Sequence, residues 1–297
     1  MLTVNGGGLL SGDAGQRAMV ISNGDAAIDA PVTISGLSFK EGLSVASVAA
    51  SGGAAGGCVF SRESLTLTDV VFNSCEAAGT GDGGTSGTTN FSTTGGALAM
   101  GTPLATDFRP NATLSNVRFV GNRTVHGTAG STFTSAGGAA TFGNGNTLWV
   151  GVISITGSVF IGNTAEAIGG LRITGATSVA ISNTDFISNT ATASNDGGFL
   201  ISNISGTVTI GGSSFAGNAA ALRRGGGQIA TVGSSLTPAD EVITINDVFF
   251  IGNVAAGQDI IGLSVLTDTF DCSGNCNFGQ LRSVRLTDVH FRSNIAA

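Results

Sequence analysis

Charge, tyrosine and long apolar runs are what this 297-residue chain has least of: only 10% of it is charged, tyrosine is absent, and Lys40 is the sole lysine beside eleven arginines. The shortage of lysine and tyrosine reads as base-composition bias and excludes no chemistry. The net charge of −7 excludes more. With no basic patch to track a phosphate backbone, nucleic acid is not an expected partner. The one doubled base, Arg223-Arg224, precedes Gly225-Gly226-Gly227 and reads as a solvated corner. No apolar run reaches the roughly 18 residues of a membrane span. Met1-Leu2-Thr3-Val4 leads directly into a strand pattern, without the pattern of a signal peptide. His126 and His290 are the only histidines, and the four cysteines lack zinc-type pairing, so neither metal nor cofactor is expected. Helical periodicity is missing from every window of about twelve residues.

What is abundant is glycine, at 48 residues, and a recurring strand. Val/Leu/Ile-rich segments run into Phe39, Phe72, Phe119, Phe160, Phe186, Phe215, Phe250 and Phe291, at intervals of 26 to 47 residues. Asparagine follows three residues after the last six (Asn122, Asn163, Asn189, Asn218, Asn253, Asn294), while Gly42 and Cys75 hold that place in the first two units. Recurrence on this scale is the signature of stacked repeats. Seven and five residues before each phenylalanine stand small or aliphatic residues, such as Leu65/Leu67 and Ile153/Ile155. That is the period-2 alternation of one buried strand face. The next interior column (Leu37, Val70, Val117) comes three residues on instead of two, so a bend interrupts the strand. At the bend stand Gly36, Asp69, Asn116, Gly157, Asn183, Gly212, Asp247 and Asp288, which is turn chemistry.

Between these units lies a glycine pair: Gly56-Gly57, Gly95-Gly96, Gly137-Gly138, Gly169-Gly170, Gly197-Gly198 and Gly226-Gly227. It supplies positive φ or close backbone approach at a corner. A unit of three short strands cannot bury its own apolar face, so neighbouring units must stack. The expected fold is all-β: a right-handed parallel β-helix of about eight to nine coils, one domain over residues 1–297, with Phe and aliphatic ladders inside and the asparagines as a polar ladder within a turn. Coils about 4.8 Å apart would make a rod of roughly 40 Å. The sequence ends in mid-coil at Ile295-Ala296-Ala297, and a bare coil is an exposed sheet edge, so a segment of a longer polypeptide is expected.

The F-x-x-N motif of Phe119-Val120-Gly121-Asn122, Phe160-Ile161-Gly162-Asn163 and Phe250-Ile251-Gly252-Asn253, together with Gly95-Gly96-Ala97-Leu98, resembles the repeats of polymorphic outer-membrane proteins. It is similar too to the wider group of pectin-lyase-like right-handed β-helix proteins of microbial and algal surfaces. The resemblance covers nearly the whole chain and implies an adhesin or a structural surface protein. The C-terminal translocating barrel of the outer-membrane proteins has no counterpart in this sequence.

Cys58 follows a glycine pair and Cys75 occupies an asparagine position; a bridge between them would pin adjacent coils. Cys272 and Cys276 enclose a tight loop suited to a local disulfide, with free buried thiols as the alternative reading. Disulfides would imply an oxidising, extracellular compartment. The acceptor triplets at Asn90, Asn111, Asn122 and Asn203 point the same way. Asn90 and Asn111 lie in exposed positions of the pattern, whereas Asn122 is a ladder residue and is expected to be buried.

Enzymes of this fold class cleave acidic polysaccharides and need converging carboxylates, or a base beside a bound cation. Asn183-Thr184-Asp185 superficially resembles a polygalacturonase motif, but its residues fill ordinary repeat positions. Asp268 and Asp271, beside the cysteine loop, read as solvated. No catalytic residue is assigned. The outward positions six and four before each phenylalanine (Thr33/Ser35, Thr66/Thr68, Thr113/Ser115, Ser154/Thr156) form a threonine-rich array of the kind ice-binding solenoids carry. Threonine is also simply favoured on exposed strand faces. Ala180, Gly211, Asn246 and Arg285 interrupt the array. The reading is an extracellular, non-enzymatic rod of a surface or matrix protein whose partners are other surface proteins, glycans or its own copies. A polysaccharide lyase or hydrolase with a site in the loops at 76–94, 123–136 or 254–280 is the alternative.

Overall fold

The computed structural model describes residues 2–5, 17–25, 28–47, 54–80, 94–103, 108–126, 135–143, 148–193, 196–230, 242–257, 261–266 and 283–296. Among them there is no helix, and the strands form three parallel sheets of fourteen, eight and eight strands. One antiparallel pair, Thr102–Pro103 with Leu148–Trp149, stands outside these sheets. The broad sheet holds the segments before and around each anchor phenylalanine. A second sheet follows the glycine pairs, and a third follows the asparagine positions. Each strand pairs with its equivalent one turn of chain further on: Leu65 with Ala112, Ala112 with Ile153, Ile153 with Val179, Val179 with Val208. This is the arrangement of a parallel β-helix or solenoid.

Two columns of left-handed backbone shape each coil. The bend residues from Gly36 to Asp288 all have φ between 48° and 66°. Glycine reaches that region freely, and Asn and Asp tolerate it better than other residues, which explains the composition of the column. A second column, two residues after each phenylalanine, runs Glu41, Ser74, Gly121, Gly162, Ser188, Gly217, Gly252 and Ser293, with φ between 53° and 64°. It turns the chain from the broad sheet towards the asparagine position. Serine and glutamate carry no cost-free route to this conformation, so the packing of neighbouring coils must impose it.

The glycine pairs occupy two kinds of corner. In the earlier coils Gly56, Gly95 and Gly137 have φ of 62° to 68° and stand one residue further from the second sheet. From Ile168 onward the corner is a residue shorter, because Ile168 bridges Ala136 while Leu171 pairs with Ala140. There the requirement is close approach: a Cβ on Gly170 or Gly198 would collide with the carbonyl of Gly198 or Gly226 in the next coil.

The interior is filled by stacked equivalents. Phe39, Phe72, Phe119, Phe160, Phe186, Phe215, Phe250 and Phe291 form one continuous stack, with successive centroids 4.6 to 5.1 Å apart and planes within 14°. This is offset stacking at the spacing that parallel strands impose. Beside it run buried aliphatic columns, including Leu67, Leu114, Ile155, Ile181, Ile210 and Ile245.

Candidate functional site

Among the described residues, one repeated set of polar groups lies inside the fold. Each ladder asparagine donates from Nδ2 to the Oδ1 of the next, at 2.9 Å for Asn122 to Asn163 and 3.0 Å for Asn189 to Asn218. The same Nδ2 donates back to a phenylalanine carbonyl of the preceding coil, as Asn189 does to Phe160 at 2.9 Å. Each Oδ1 accepts in addition the backbone N–H of the preceding asparagine. All three bonds repeat from Asn122 to Asn253, every one of which is fully buried. An unpaired amide there would carry its full desolvation penalty, so the repetition is structural chemistry.

A second interior ladder carried no signal in the sequence pattern. Ser158, Thr184 and Ser213 sit in the column otherwise filled by Val70, Val117 and Val248, and all are buried. Their hydroxyls accept from backbone N–H groups of the preceding coil, Val117 to Ser158 and Thr184 to Ser213 both at 3.1 Å. Each donates to the carbonyl two residues earlier. The left-handed bend leaves those N–H groups without a ladder partner, and the hydroxyl supplies one.

Cys58 and Cys75 are disulfide-bonded, with Cα atoms 5.6 Å apart. Both bond forward to the same coil, Cys58 N to Ala97 O and Cys75 N to Asn122 Oδ1. The bridge therefore closes one coil across its interior instead of pinning two neighbours. Cys272, Cys276, Asn90, Asp268 and Asp271 lie outside the described residues. Of the other acceptor triplets, Asn122 is buried in the ladder. Asn203 has its Oδ1 buried without a partner and adopts φ 54°. Asn111 is exposed, and its Oδ1 accepts from Val152 N at 2.7 Å.

On the surface, the hydroxyl columns are in register across the broad sheet, Thr33 with Thr66, Thr113, Ser154, Ala180, Thr209, Thr244 and Arg285. An open cleft of about 340 Å³ lies over Glu41, Leu43, Ser74, Glu76 and Arg123. Each of its carboxylates meets a base: Glu76 Oε2 accepts from Arg123 Nε and Nη2 at 2.7 and 2.6 Å, and Glu41 lies 3.6 Å from Lys40 Nζ. The triplet Asn183-Thr184-Asp185 is absorbed by the repeat: Asn183 makes the bend, Thr184 joins the hydroxyl ladder, and Asp185 accepts from Ser214. Among the described residues no group of three or more His, Cys, Asp or Glu side chains is placed to hold a metal ion.

One ionisable group stands apart. Asp196 is fully buried and accepts from Arg224 Nε at 2.6 Å through Oδ1, while Oδ2 has no partner. Burial pushes its pKa up to about 6, against the lowering pull of Arg224 and Arg223. A carboxyl whose folded pKa exceeds its unfolded one contributes stability that is complete below about pH 4 and lost as pH rises through 6. At about 1.4 kcal/mol per unit the contribution is on the order of 3 kcal/mol. Asp196→Asn, which preserves the acceptor, should flatten that part of the stability curve between pH 4 and 7; urea titrations of both proteins across that range measure it.

No protein family matches this chain, and neither a curated protein nor a solved structure matches it. No helix of the described residues is long and apolar enough to cross a membrane.

Proposed function

We propose that the chain is a right-handed parallel β-helix of about eight to nine coils, built on F-x-x-N and Gly-Gly repeats, that serves as a rigid non-catalytic rod of an extracellular surface or matrix protein. The observation that carries this reading is the unbroken stack from Phe39 to Phe291, at 4.6 to 5.1 Å throughout, with the amide ladder beside it. Among the described residues the ladder amides are bound within that frame, and the cleft carboxylates Glu41 and Glu76 each meet a base. The accessible broad face is left uncharged from Thr33 to Asn246 along its two hydroxyl columns. Such a face suits contact with glycans, other surface proteins or further copies of the chain. The bridge between Cys58 and Cys75 fits an oxidising compartment.

The intact mass of the non-reduced protein from its source tests the reading. A mass above 29.2 kDa, with hexose attached and no free thiols, is expected. An unmodified chain with four free thiols would remove the extracellular assignment. Depolymerisation of an acidic polysaccharide by the pure chain, abolished by a single Asp or Glu substitution, would overturn the non-catalytic one.

A further inference from the structure

The asparagine ladder stops short of the N-terminal coils, and the disulfide stands where it stops. From Asn122 to Asn253 every asparagine makes an N–H to Oδ1 bond, an amide to amide bond and an amide to carbonyl bond. Gly42 has no side chain to offer, and Cys75 retains only its N–H bond to Asn122 Oδ1, at 2.9 Å. Its Sγ lies 4.0 Å from the carbonyl of Phe39, the acceptor that an asparagine amide would use at this position. A Cβ on Gly42 would stand 2.5 Å from Cys58 Sγ, so the bridge occupies the space of the missing rung. Cys58 also seats the segment 17–25. Its carbonyl accepts from Met19 N at 2.9 Å, and Arg17 bonds the adjacent carbonyls of Ala55 and Gly56 at 2.6 and 2.9 Å.

We propose that the Cys58–Cys75 bridge is a redox-operated lock: closed, it fixes the coil of residues 58–75, on which the segments 32–35 and 37–40 stack, in place of the amide rungs missing there; reduced, it releases both while the asparagine-laddered coils stay folded. A dithiol reductant attacks one sulfur, and its second thiol resolves the mixed disulfide. Both Sγ atoms then leave as thiols carrying two electrons and two protons between them, and the reductant closes to a cyclic disulfide. Both half-cystines are fully buried, so attack requires the coil to open first, and the opened coil then has neither rung nor cross-link to close it. In a solenoid each coil contacts only its neighbours, so the loosening can end where the amide ladder begins. The proposal does not depend on the extracellular reading.

Native-state hydrogen exchange on the folded chain, with and without dithiothreitol, tests it. On reduction, amides in 32–40 and 65–73 should lose protection on the order of 100-fold, the scale of a short disulfide-closed loop. Amides in 153–161 and 208–216 should change by less than about threefold, as expected of an unaffected cooperative unit. A double variant, Cys58→Ala with Cys75→Asn, should keep the N-terminal protection in reductant, because the new amide reaches Phe39 O and Asn122 Oδ1. Equal loss in both regions, or no loss in either, would overturn the lock. So would a double variant that exchanges like the reduced wild type.

Discussion

Replacing Asn189 by alanine should remove about 4–6 kcal/mol of stability, from two or three stranded polar groups at roughly 1–3 kcal/mol each and the void left by the side chain. The sum follows from the bonds of one amide. Asn163 loses its acceptor for both N–H and Nδ2, which now point at Asn189 Oδ1 at 3.0 and 2.9 Å. Phe160 loses the donor to its carbonyl. Asn163 Nδ2 keeps Phe119 O, and Asn218 Oδ1 keeps the N–H of residue 189, so the damage is confined to one side of the rung. Asn189→Asp should be worse than alanine. It keeps an acceptor for Asn163 but turns a charged oxygen towards Phe160 O and Asn218 Oδ1, where a donor was. The control is Asn294→Ala: that amide is only partly buried, so solvent can replace its bonds and the loss should stay near 1 kcal/mol. Urea unfolding followed by far-ultraviolet circular dichroism gives all three numbers. A loss under about 1.5 kcal/mol for Asn189→Ala would mean that water takes the place of the rung at no great cost.

How much of this was legible in the sequence depends on whether a column demands one residue type. The phenylalanine and asparagine columns do, because each ring stacks on a like ring and each amide pairs with a like amide in the next coil, and both are readable from the sequence. The bend column was readable as turn chemistry, since Gly, Asn and Asp share tolerance of positive φ. The second left-handed column was not. Gly121, Gly162, Gly217 and Gly252 suit the conformation, but Glu41, Ser74, Ser188 and Ser293 are ordinary residues held there by tertiary packing, and their presence masks the signal. The hydroxyl ladder was hidden for a related reason. Ser158, Thr184 and Ser213 occupy a column shared with valine, and only the geometry shows an N–H left open by the bend. The two corner lengths escaped because both contain a glycine pair, displaced by one residue relative to the strand. The disulfide was readable as a pair, but its direction across one coil was not, because spacing alone does not say which coil each cysteine bonds onto. Nothing in the pattern marked Asp196, and Arg224, read from the sequence as part of a solvated corner, is instead buried against it; the same column is filled by Ala55, Thr94, Ala136 and Ile168 in the other coils.

Phe186→Ala should cost about 3–5 kcal/mol, the usual range for emptying a well-packed aromatic site. Its ring is fully buried between those of Phe160 and Phe215, at 4.6 and 4.7 Å, with Phe199 against it at 6.1 Å. Backbone bonds to both neighbouring coils fix the strand, so the walls cannot close on the void, which places the expected loss towards the upper end. Sensitivity should depend on position in the stack and not on the motif. Phe291 has the same F-x-x-N context but is 54% exposed, and its replacement should cost on the order of 1 kcal/mol, in proportion to the apolar area it still buries. The sharpest contrast is between two adjacent residues. Phe250 points inward and is fully buried, whereas Phe249 points outward at 39% exposure against His290. Phe250→Ala should lose several times what Phe249→Ala loses, since only the first leaves a cavity. Equal losses for this pair, measured by urea unfolding, would mean that the strand does not hold the register in which every ladder described above is built, because a one-residue slip exchanges the two faces.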